Sequence, residues 1–233
     1  MDQKKTIMAI GAHIGDMELS TGGVLATMAA KGHKIVTVAL TGGEKGNPPH
    51  QTVEEYRRQK VREAEEFARL LGGESVVFDI PDGALVPDEA VKFALCDVIR
   101  QYRPDVLLGH WKNSLHKDHE AAHQIVKDAQ FYAGLPGFTR ALPAHYAAGP
   151  YYAENWEDPT GFHPYVYVEV SDEGFALWEQ AISHHWFTMH STSFEYRKYY
   201  THLMSVRGIE ARRTRAQCFD VDELAKRVVK DSF

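Results

Sequence analysis

Short apolar runs alternate with amphipathic segments along the first 110 residues of the chain. Runs rich in β-branched residues predict strands, and apolar residues repeated every three or four positions predict helices. Strands are expected at 6–12, 35–40, 76–80 and 105–109, and helices at about 16–31, 53–71 and 91–102. Strands that alternate with helices indicate a mostly parallel sheet covered on both faces. The pattern therefore predicts a three-layer α/β/α, Rossmann-like fold.

Beyond about residue 130 the alternation gives way to a stretch rich in glycine and proline, which favour turns and loops. The pattern there predicts a strand at 166–170 and helices at 172–185 and 194–207. The chain shows no internal repeat, and its length suits one well-buried α/β unit. We expect a single domain over residues 1–233, with an irregular, substrate-covering region from about residue 130.

Charge and hydropathy indicate which classes of molecule the protein is expected not to bind. Lys and Arg number 26 against 32 Asp and Glu, a net charge of −6, and no basic stripe could follow a phosphate backbone. No apolar run approaches membrane-spanning length, and the first one is too short for a signal peptide. The two cysteines lie far apart and are expected to be buried thiols in a reducing compartment. We therefore expect a cytoplasmic protein that binds neither nucleic acid nor membranes.

Candidate chemistry follows two of the predicted strands, where open parallel sheets usually carry their sites. His13 and Asp16 come after the first strand, and His116, Asp118 and His119 come after the fourth. Two histidines and a carboxylate suit a catalytic zinc or ferrous ion that keeps a position open for water. Helix capping alone would also account for either aspartate. The sequence thus indicates a metal site at this edge of the sheet and leaves capping as the alternative.

Five short motifs occur in order over residues 6 to about 130. They are AHIGDMEL with a following GG at 12–23, TGGEKG at 41–46, REAE at 62–65, PDG at 81–83 and HKDH at 116–119. Together they resemble the motifs of the LmbE/PIG-L family of N-acetylglucosaminyl deacetylases. The resemblance continues more loosely through the second half of the chain.

The resemblance implies roles for specific residues. The metal, Zn²⁺ with Fe²⁺ as the alternative, would be held by His13, Asp16 and His119. His116 would stabilise the oxyanion, and Asp118 would orient the imidazoles. The residues expected to contact an amino-sugar-like substrate are Glu44, Arg62, Asp82 and His185.

One position departs from the family pattern. Gly15 stands where the family has the aspartate that takes a proton from the metal-bound water, and losing such a base typically costs about 10²- to 10⁴-fold in rate. Three alternatives stay open: the metal alone suffices, another carboxylate such as Glu18 or Asp118 serves as base, or the protein binds a ligand without efficient hydrolysis. We expect a zinc-dependent hydrolase that removes an acetyl or similar acyl group from an amino sugar or glycoside-like molecule. A catalytically weak ligand-binding homologue is the alternative, and a homo-oligomer is expected.

Other polar and aromatic residues have simpler interpretations. His110 and His123 are expected to be exposed or on a helix face, outside the metal shell, and the charged run at 54–60 is expected to face solvent. Tyr146, Tyr151, Tyr152 and Trp156 form either a sugar-stacking wall or ordinary aromatic packing. The glycines of the 41–46 loop lack the GK[ST] sequence of a phosphate-binding loop, so a nucleotide-binding enzyme is disfavoured.

Overall fold

The computed structural model describes residues 3–230 and residue 232. These residues form seven strands, which are β1 (Thr6–His13), β2 (Lys34–Thr41), β3 (Glu74–Ile80), β4 (Val106–His110), β5 (Ala148–Ala153), β6 (Val166–Glu169) and β7 (Ala216–Asp220). They also form eight α-helices, which are α1 (Asp16–Ser20), α2 (Gly22–Ala30), α3 (Val53–Leu70), α4 (Glu89–Tyr102), α5 (Lys117–Gly134), α6 (Asp172–Ile182), α7 (Trp186–His190) and α8 (Tyr196–Glu210).

The strands form one sheet in the order β3-β2-β1-β4-β5-β7-β6. Strands β1 to β5 pair in parallel, and Ile7 of β1 lies in register with Ile35 of β2 and Val106 of β4. Strand β7 runs antiparallel to both β5 and β6. The predicted mostly parallel sheet is therefore confirmed.

Both faces of the central strand β1 are buried under helices. Ile7 and Ala9 belong to an apolar cluster with α2, α6 and α8, whereas Met8 and Ile10 belong to a second cluster with α4 and α5. Alternate residues of a strand point to opposite faces, so a strand buried on both sides has a continuous apolar sequence. The predicted three-layer α/β/α architecture is confirmed.

The helix predicted over 16–31 is two helices, α1 and α2, separated at Thr21. The side chain of Gln217 in β7 hydrogen-bonds to the backbone on both sides of this break. Its side-chain oxygen accepts a hydrogen bond from Val24 N at 2.8 Å, and its amide nitrogen donates to Ser20 O at 2.8 Å. These bonds satisfy backbone groups that a continuous helix would have paired internally. The short helix α1 therefore ends at Ser20, and its first residue, Asp16, lies just beyond the end of β1.

Strands β5 and β7 were not predicted from the sequence. Gly149 and Pro150 are typical of a turn, yet they lie within β5, which pairs in parallel with β4. Strand β7 is only five residues long and buried throughout, so it has no alternation of apolar and polar positions. The region beyond residue 130 thus contributes β5, β6 and β7 to the same sheet.

Within residues 3–230, no helix is both long enough and apolar enough to cross a lipid bilayer. Cys96 and Cys218 are buried and unpaired, as predicted from their spacing.

Candidate active site

Histidine and aspartate side chains converge beyond the carboxyl ends of β1 and β4. Asp16 Oδ2 lies 3.2 Å from His13 Nδ1 and 3.4 Å from His119 Nε2. His13 is the last residue of β1, Asp16 begins α1, and His119 lies in the first turn of α5. The structure therefore brings together the three residues predicted to hold the metal.

Two nitrogens of this cluster have no hydrogen bond to any described residue. They are His13 Nε2 and His119 Nε2, and both are buried. A buried polar atom without a partner is costly, and a neutral imidazole nitrogen with a free lone pair is the commonest protein ligand for transition metals. Asp16 lies beside His119 Nε2 but faces His13 through Nδ1, and none of the groups of converging ligand atoms among the described residues contains all three residues. Two imidazoles and a carboxylate are nevertheless the ligand types that suit zinc or iron. The donor chemistry of the cluster therefore fits a metal ion.

The cluster contains three overlapping groups of potential metal ligands. Within each group, the ligand atoms lie within 4.8 Å of one another. The groups are His13, His116 and His119, then Asp16, His110 and His119, then His13, Asp82 and Asp118. The carboxylates create a strongly negative field. Burial lowers the pKa of His119, but Asp16 and Asp158 outweigh burial and raise that pKa to about 10. A field that favours a proton on a buried imidazole also favours a metal cation in its place.

Asp158 orients two of the histidines. It is buried, and its oxygens lie 3.2 Å from His119 Nδ1 and 3.4 Å from His110 Nδ1. A carboxylate on one imidazole nitrogen fixes the proton there and leaves the other nitrogen free to bind metal. Asp158 could not be predicted from the sequence, because it follows β5, a strand that the apolar pattern does not indicate.

His110 belongs to the cluster, so the expectation of an exposed or helix-face side chain was wrong. It is the last residue of β4 and 1% exposed, and its Nε2 lies 3.1 Å from Asp16 Oδ2. The same nitrogen accepts a hydrogen bond from Ala12 N at 3.0 Å. The adjacent ends of β1 and β4 impose this contact. His123 is partly buried, its Nδ1 contacts His110 O at 3.0 Å, and it belongs to none of the groups of potential ligands among the described residues.

The HKDH segment places two further residues around His13. The rings of His116 and His13 meet edge to face with centroids 4.6 Å apart, and His116 Nδ1 accepts a hydrogen bond from Asp118 N. This bond leaves His116 Nε2 as the nitrogen that can donate into the cleft. Asp118 is fully buried, and its Oδ2 accepts a hydrogen bond from Gly83 N at 2.8 Å and lies 3.5 Å from His13 Nε2. It links the loop after β3 to the metal cluster.

The loops after β2 and β3 carry Glu44 and Asp82, two of the residues predicted to contact the substrate. One of them lines the cleft, and the other lies behind it. Asp82 lines the cleft, and its Oδ1 lies 3.3 Å from His13 Nε2. Glu44 is buried and lies behind the cleft wall, where it accepts hydrogen bonds from Asp82 N at 2.9 Å and from Arg57 at 3.1 Å. Glu44 therefore supports the loop that carries Asp82.

Helix α3 turns a lysine, and not the predicted arginine, toward the cleft. Arg62 is exposed and does not line the cleft. Lys60 lines the cleft and is 5% exposed, and Tyr56 is buried one turn earlier. The expectation that the whole 54–60 run faces solvent was therefore wrong, because Tyr56, Lys60 and Ala64 follow the four-residue spacing of the inward face. Burial lowers the pKa of Lys60, while Asp16 and Glu63 act against that shift.

The position of the missing base is filled by an aromatic ring. Gly15 has a φ of 108°, and a Cβ atom built on it would lie 2.5 Å from the Phe187 ring. Glu18 accepts a hydrogen bond from Gly15 N at 3.1 Å and does not line the cleft. Burial raises the pKa of Glu18 to about 7. The carboxylate of Glu18 thus caps the turn that carries Gly15.

A different carboxylate, Glu157, does line the cleft. Its Oε2 lies 3.6 Å from His119 Nε2, and burial raises its pKa. The side chain is 24% exposed, so water reaches it. Glu157 has no signal in the sequence, because it lies in the loop after β5 and in none of the five motifs.

The cleft above the cluster has a volume of about 690 Å³. Its walls combine hydroxyl groups of the 191–193 segment with aromatic side chains, which are Tyr56, Trp156, Trp186, Phe187, Tyr196 and Tyr200. Of the four aromatic residues suggested as a sugar-stacking wall, only Trp156 lines it. Tyr146 is 74% exposed, and Tyr152 is buried against Trp111 and His123.

His185 is fully buried and does not line the cleft. Neither ring nitrogen has a hydrogen bond to a described residue, and burial lowers its pKa to about 3. Its ring packs against Phe67 and Phe187. The structure therefore places His185 behind Phe187, out of reach of a molecule in the cleft.

Comparison with known proteins gives a family match and relatives with two different activities. The family model described as PIG-L, GlcNAc-PI de-N-acetylase, matches residues 8–130. A 4-oxalmesaconate hydratase from Pseudomonas putida is 26% identical over 234 residues, 90% of this chain and 82% of its own length. A diacetylchitobiose deacetylase from Thermococcus kodakarensis is 27% identical over 180 residues, 72% of this chain and 64% of its own length. The crystal structure of the 4-carboxy-2-hydroxymuconate hydratase from Pseudomonas putida has a TM-score of 0.83 at 22% identity, covering 98% of this chain and 100% of that one.

Proposed function

This chain belongs to the PIG-L (LmbE) family, and on that premise we propose that it is a metal-dependent enzyme that activates water. The proposed reaction is the hydration of a conjugated double bond in a small molecule that carries a carboxylate. His13, Asp16 and His119 would hold the metal, zinc or iron. When bound, such an ion lowers the pKa of water and polarises a carbonyl oxygen. The relative named as a hydratase supports this reaction class, since it aligns with 90% of the chain.

The contact between Gly15 and Phe187 carries the proposal. Amide hydrolysis in the resembled deacetylases uses a carboxylate at position 15, and here an aromatic ring lies 2.5 Å from where its Cβ would be. In conjugate addition, water attacks a carbon remote from the polarised oxygen, so the position beside the metal does not need that base. The Phe187 ring instead offers a flat apolar surface for the planar part of a conjugated substrate.

Two residues of the cleft would supply the proton chemistry. Glu157 would take a proton from water as the water oxygen bonds to the β carbon, and it would return that proton to the α carbon. His116 would donate a hydrogen bond from Nε2 to the carbonyl oxygen while negative charge accumulates there. Water is added across the double bond, and both residues end in their starting protonation states.

A second candidate is removal of an acetyl group from an amino sugar. The aromatic and hydroxyl groups of the cleft favour it, because sugar rings stack on aromatic faces and hydrogen-bond to hydroxyls. Glu157 would then act as the relocated base and pass its proton to the leaving amine. A diacetylchitobiose deacetylase among the relatives supports this candidate.

One experiment separates the candidates. Zinc- or iron-loaded protein is incubated with a panel of unsaturated oxo-carboxylic acids and with a panel of N-acetylated amino sugars. Loss of the conjugated ultraviolet absorbance, with ¹⁸O from labelled water in the product, supports hydration. Release of acetate without hydration overturns the proposal in favour of the second candidate. If neither reaction is observed, both candidates are overturned, and a ligand-binding homologue remains.

A further inference from the structure

Among the described residues that line the cleft, Lys60 is a cation with no ion-paired partner. Lys60 is 5% exposed, and among residues 3–230 and residue 232 its ammonium group has neither a hydrogen bond nor a carboxylate within 4.0 Å. The closest groups are the Phe187 ring, whose centroid lies 4.8 Å from Nζ, and the Tyr56 ring, whose centroid lies 5.7 Å away. A buried charge is normally paired, because removing it from water is expensive.

The neighbours of Lys60 direct its charge toward the cleft. A Cβ atom added to Gly43 would lie 3.0 Å from Nζ, so the backbone of the 41–46 loop closes one side. The Phe187 ring closes another and is the same ring that packs against Gly15. Lys60 therefore lies in the wall beside the metal cluster, with the open cleft in front of it.

Two other buried cations in this fold have the bonding partners expected of a structural role. Lys92 is similarly buried, but its ammonium pairs with Glu89 at 3.0 Å and Asp128 at 2.9 Å. Buried Arg100 donates hydrogen bonds to four backbone carbonyl oxygens. Lys60 has no comparable set of partners. Asp16, Glu63, Glu18 and Asp82 attract it at longer range. A bound cation would neutralise Asp16 and Asp82, and Glu63 and Glu18 do not line the cleft.

We propose that Lys60 anchors a carboxylate group of the substrate, next to the metal cluster and over the Phe187 ring. The substrate class is thus a small organic anion with at least one carboxylate that lies beside the metal cluster. This inference rests on the proposed function for the identity of the reaction, but the anion site is testable without turnover. Phe187 would position the ammonium group by a cation–π contact.

The test measures binding of an unreactive probe, tricarballylate, by calorimetry, with its neutral trimethyl ester for comparison. The proteins are the wild type, Lys60→Met, and Arg58→Met, an exposed change on the same helix with the same loss of charge. We expect the wild type and Arg58→Met to bind tricarballylate and not the ester, and Lys60→Met to bind it about 10- to 100-fold more weakly.

Thermal unfolding provides the second readout. Removing an unpaired buried charge relieves its desolvation cost, so Lys60→Met should have a melting temperature equal to or above that of the wild type. A lower melting temperature with unchanged tricarballylate affinity would show that Lys60 only balances the nearby carboxylates, and would overturn the inference. Absence of binding to the wild type would overturn it too.

The outcomes separate this inference from the proposed function. Binding through Lys60 without hydration of any unsaturated acid leaves the anion site standing and removes the hydratase. If the protein hydrates an unsaturated acid and the Lys60→Met variant has the same KM as the wild type, the anion site is overturned and the hydratase proposal stands.

Discussion

Phe187 packs against Gly15 so closely that a Cβ atom at position 15 would lie 2.5 Å from its ring. The two residues come from opposite halves of the chain: Gly15 lies between β1 and α1, and Phe187 lies in α7. The absence of a carboxylate at position 15 therefore leaves no empty space at that position. A glycine that had merely lost its aspartate would leave a space, whereas here an aromatic ring fills it.

Restoring the family residue should harm the protein. Gly15→Asp places a side chain on a backbone with a φ of 108° and against Phe187, and we expect it to destabilise the fold by about 2–4 kcal/mol. Turnover should not rise. Thermal unfolding and steady-state kinetics check both expectations. Combining Gly15→Asp with Phe187→Ala should recover part of the lost stability, and a gain in turnover at unchanged stability for Gly15→Asp alone would contradict the argument.

Glu157→Gln should lower kcat by about 10²- to 10⁴-fold with a smaller effect on KM, because Glu157 lines the cleft beside His119 and is not a predicted metal ligand. Glu18→Gln should lower kcat less, since Glu18 caps the Gly15 turn. Steady-state kinetics on the best substrate from the two panels gives both values. Glu65→Gln, an exposed change on α3, serves as the control. A larger loss of kcat in Glu18→Gln would instead favour Glu18 as the base.

The sequence was most informative where chemistry and regular structure coincide. His13, Asp16 and His119 could be predicted because each follows a strand or begins a helix that the apolar pattern identifies. Parallel strand ends meet at one edge of a sheet, so residues far apart in the sequence could be expected to converge. The same logic would have found His110, since it ends β4 beside β1, had its burial been inferred from the strand.

Residues from the second half could not be predicted in the same way. Asp158 and Glu157 depend on β5, whose Gly149 and Pro150 suggest a turn, and Phe187 lies in a helix of only five residues. Lys60 is a different case. Its charge indicated an exposed position, although its spacing from Tyr56 and Ala64 placed it on the inward face of α3. Only tertiary contacts distinguish a solvated lysine from one that faces a cleft.

Metal content should depend on the predicted ligands. We expect the purified protein to contain about one equivalent of zinc or iron by mass spectrometry, and His119→Ala to lose most of it, because two donors remain where three are needed. His202→Ala, an exposed change on α8, should keep the metal. Chelation should lower the melting temperature, and zinc should restore it, since a ligand that binds only the folded state stabilises that state. Unchanged metal content in His119→Ala would exclude His119 as a ligand.

His185 should make the protein sensitive to acid. Burial lowers its pKa to about 3 in the folded state, aided by repulsion from Lys60 and His184. The unfolded chain has the ordinary value near 6.5, so below that pH it binds a proton that the folded chain refuses. The free energy of unfolding should therefore fall by up to about 1.4 kcal/mol per pH unit from pH 6.5 toward pH 3 and be independent of His185 above pH 7.5.

His185→Phe isolates this contribution, because the pocket against Phe67 accepts an apolar ring and both ring nitrogens of the histidine lack hydrogen-bond partners among the described residues. Other groups titrate over the same range in both proteins and cancel in the difference. Urea unfolding at pH 7.5 and pH 5 should show the variant losing less stability than the wild type by roughly 2 kcal/mol. Equal losses would mean that the folded protein accommodates a protonated His185, in which case the Glu63 carboxylate, 3.9 Å from Nδ1, is the group that would compensate the charge.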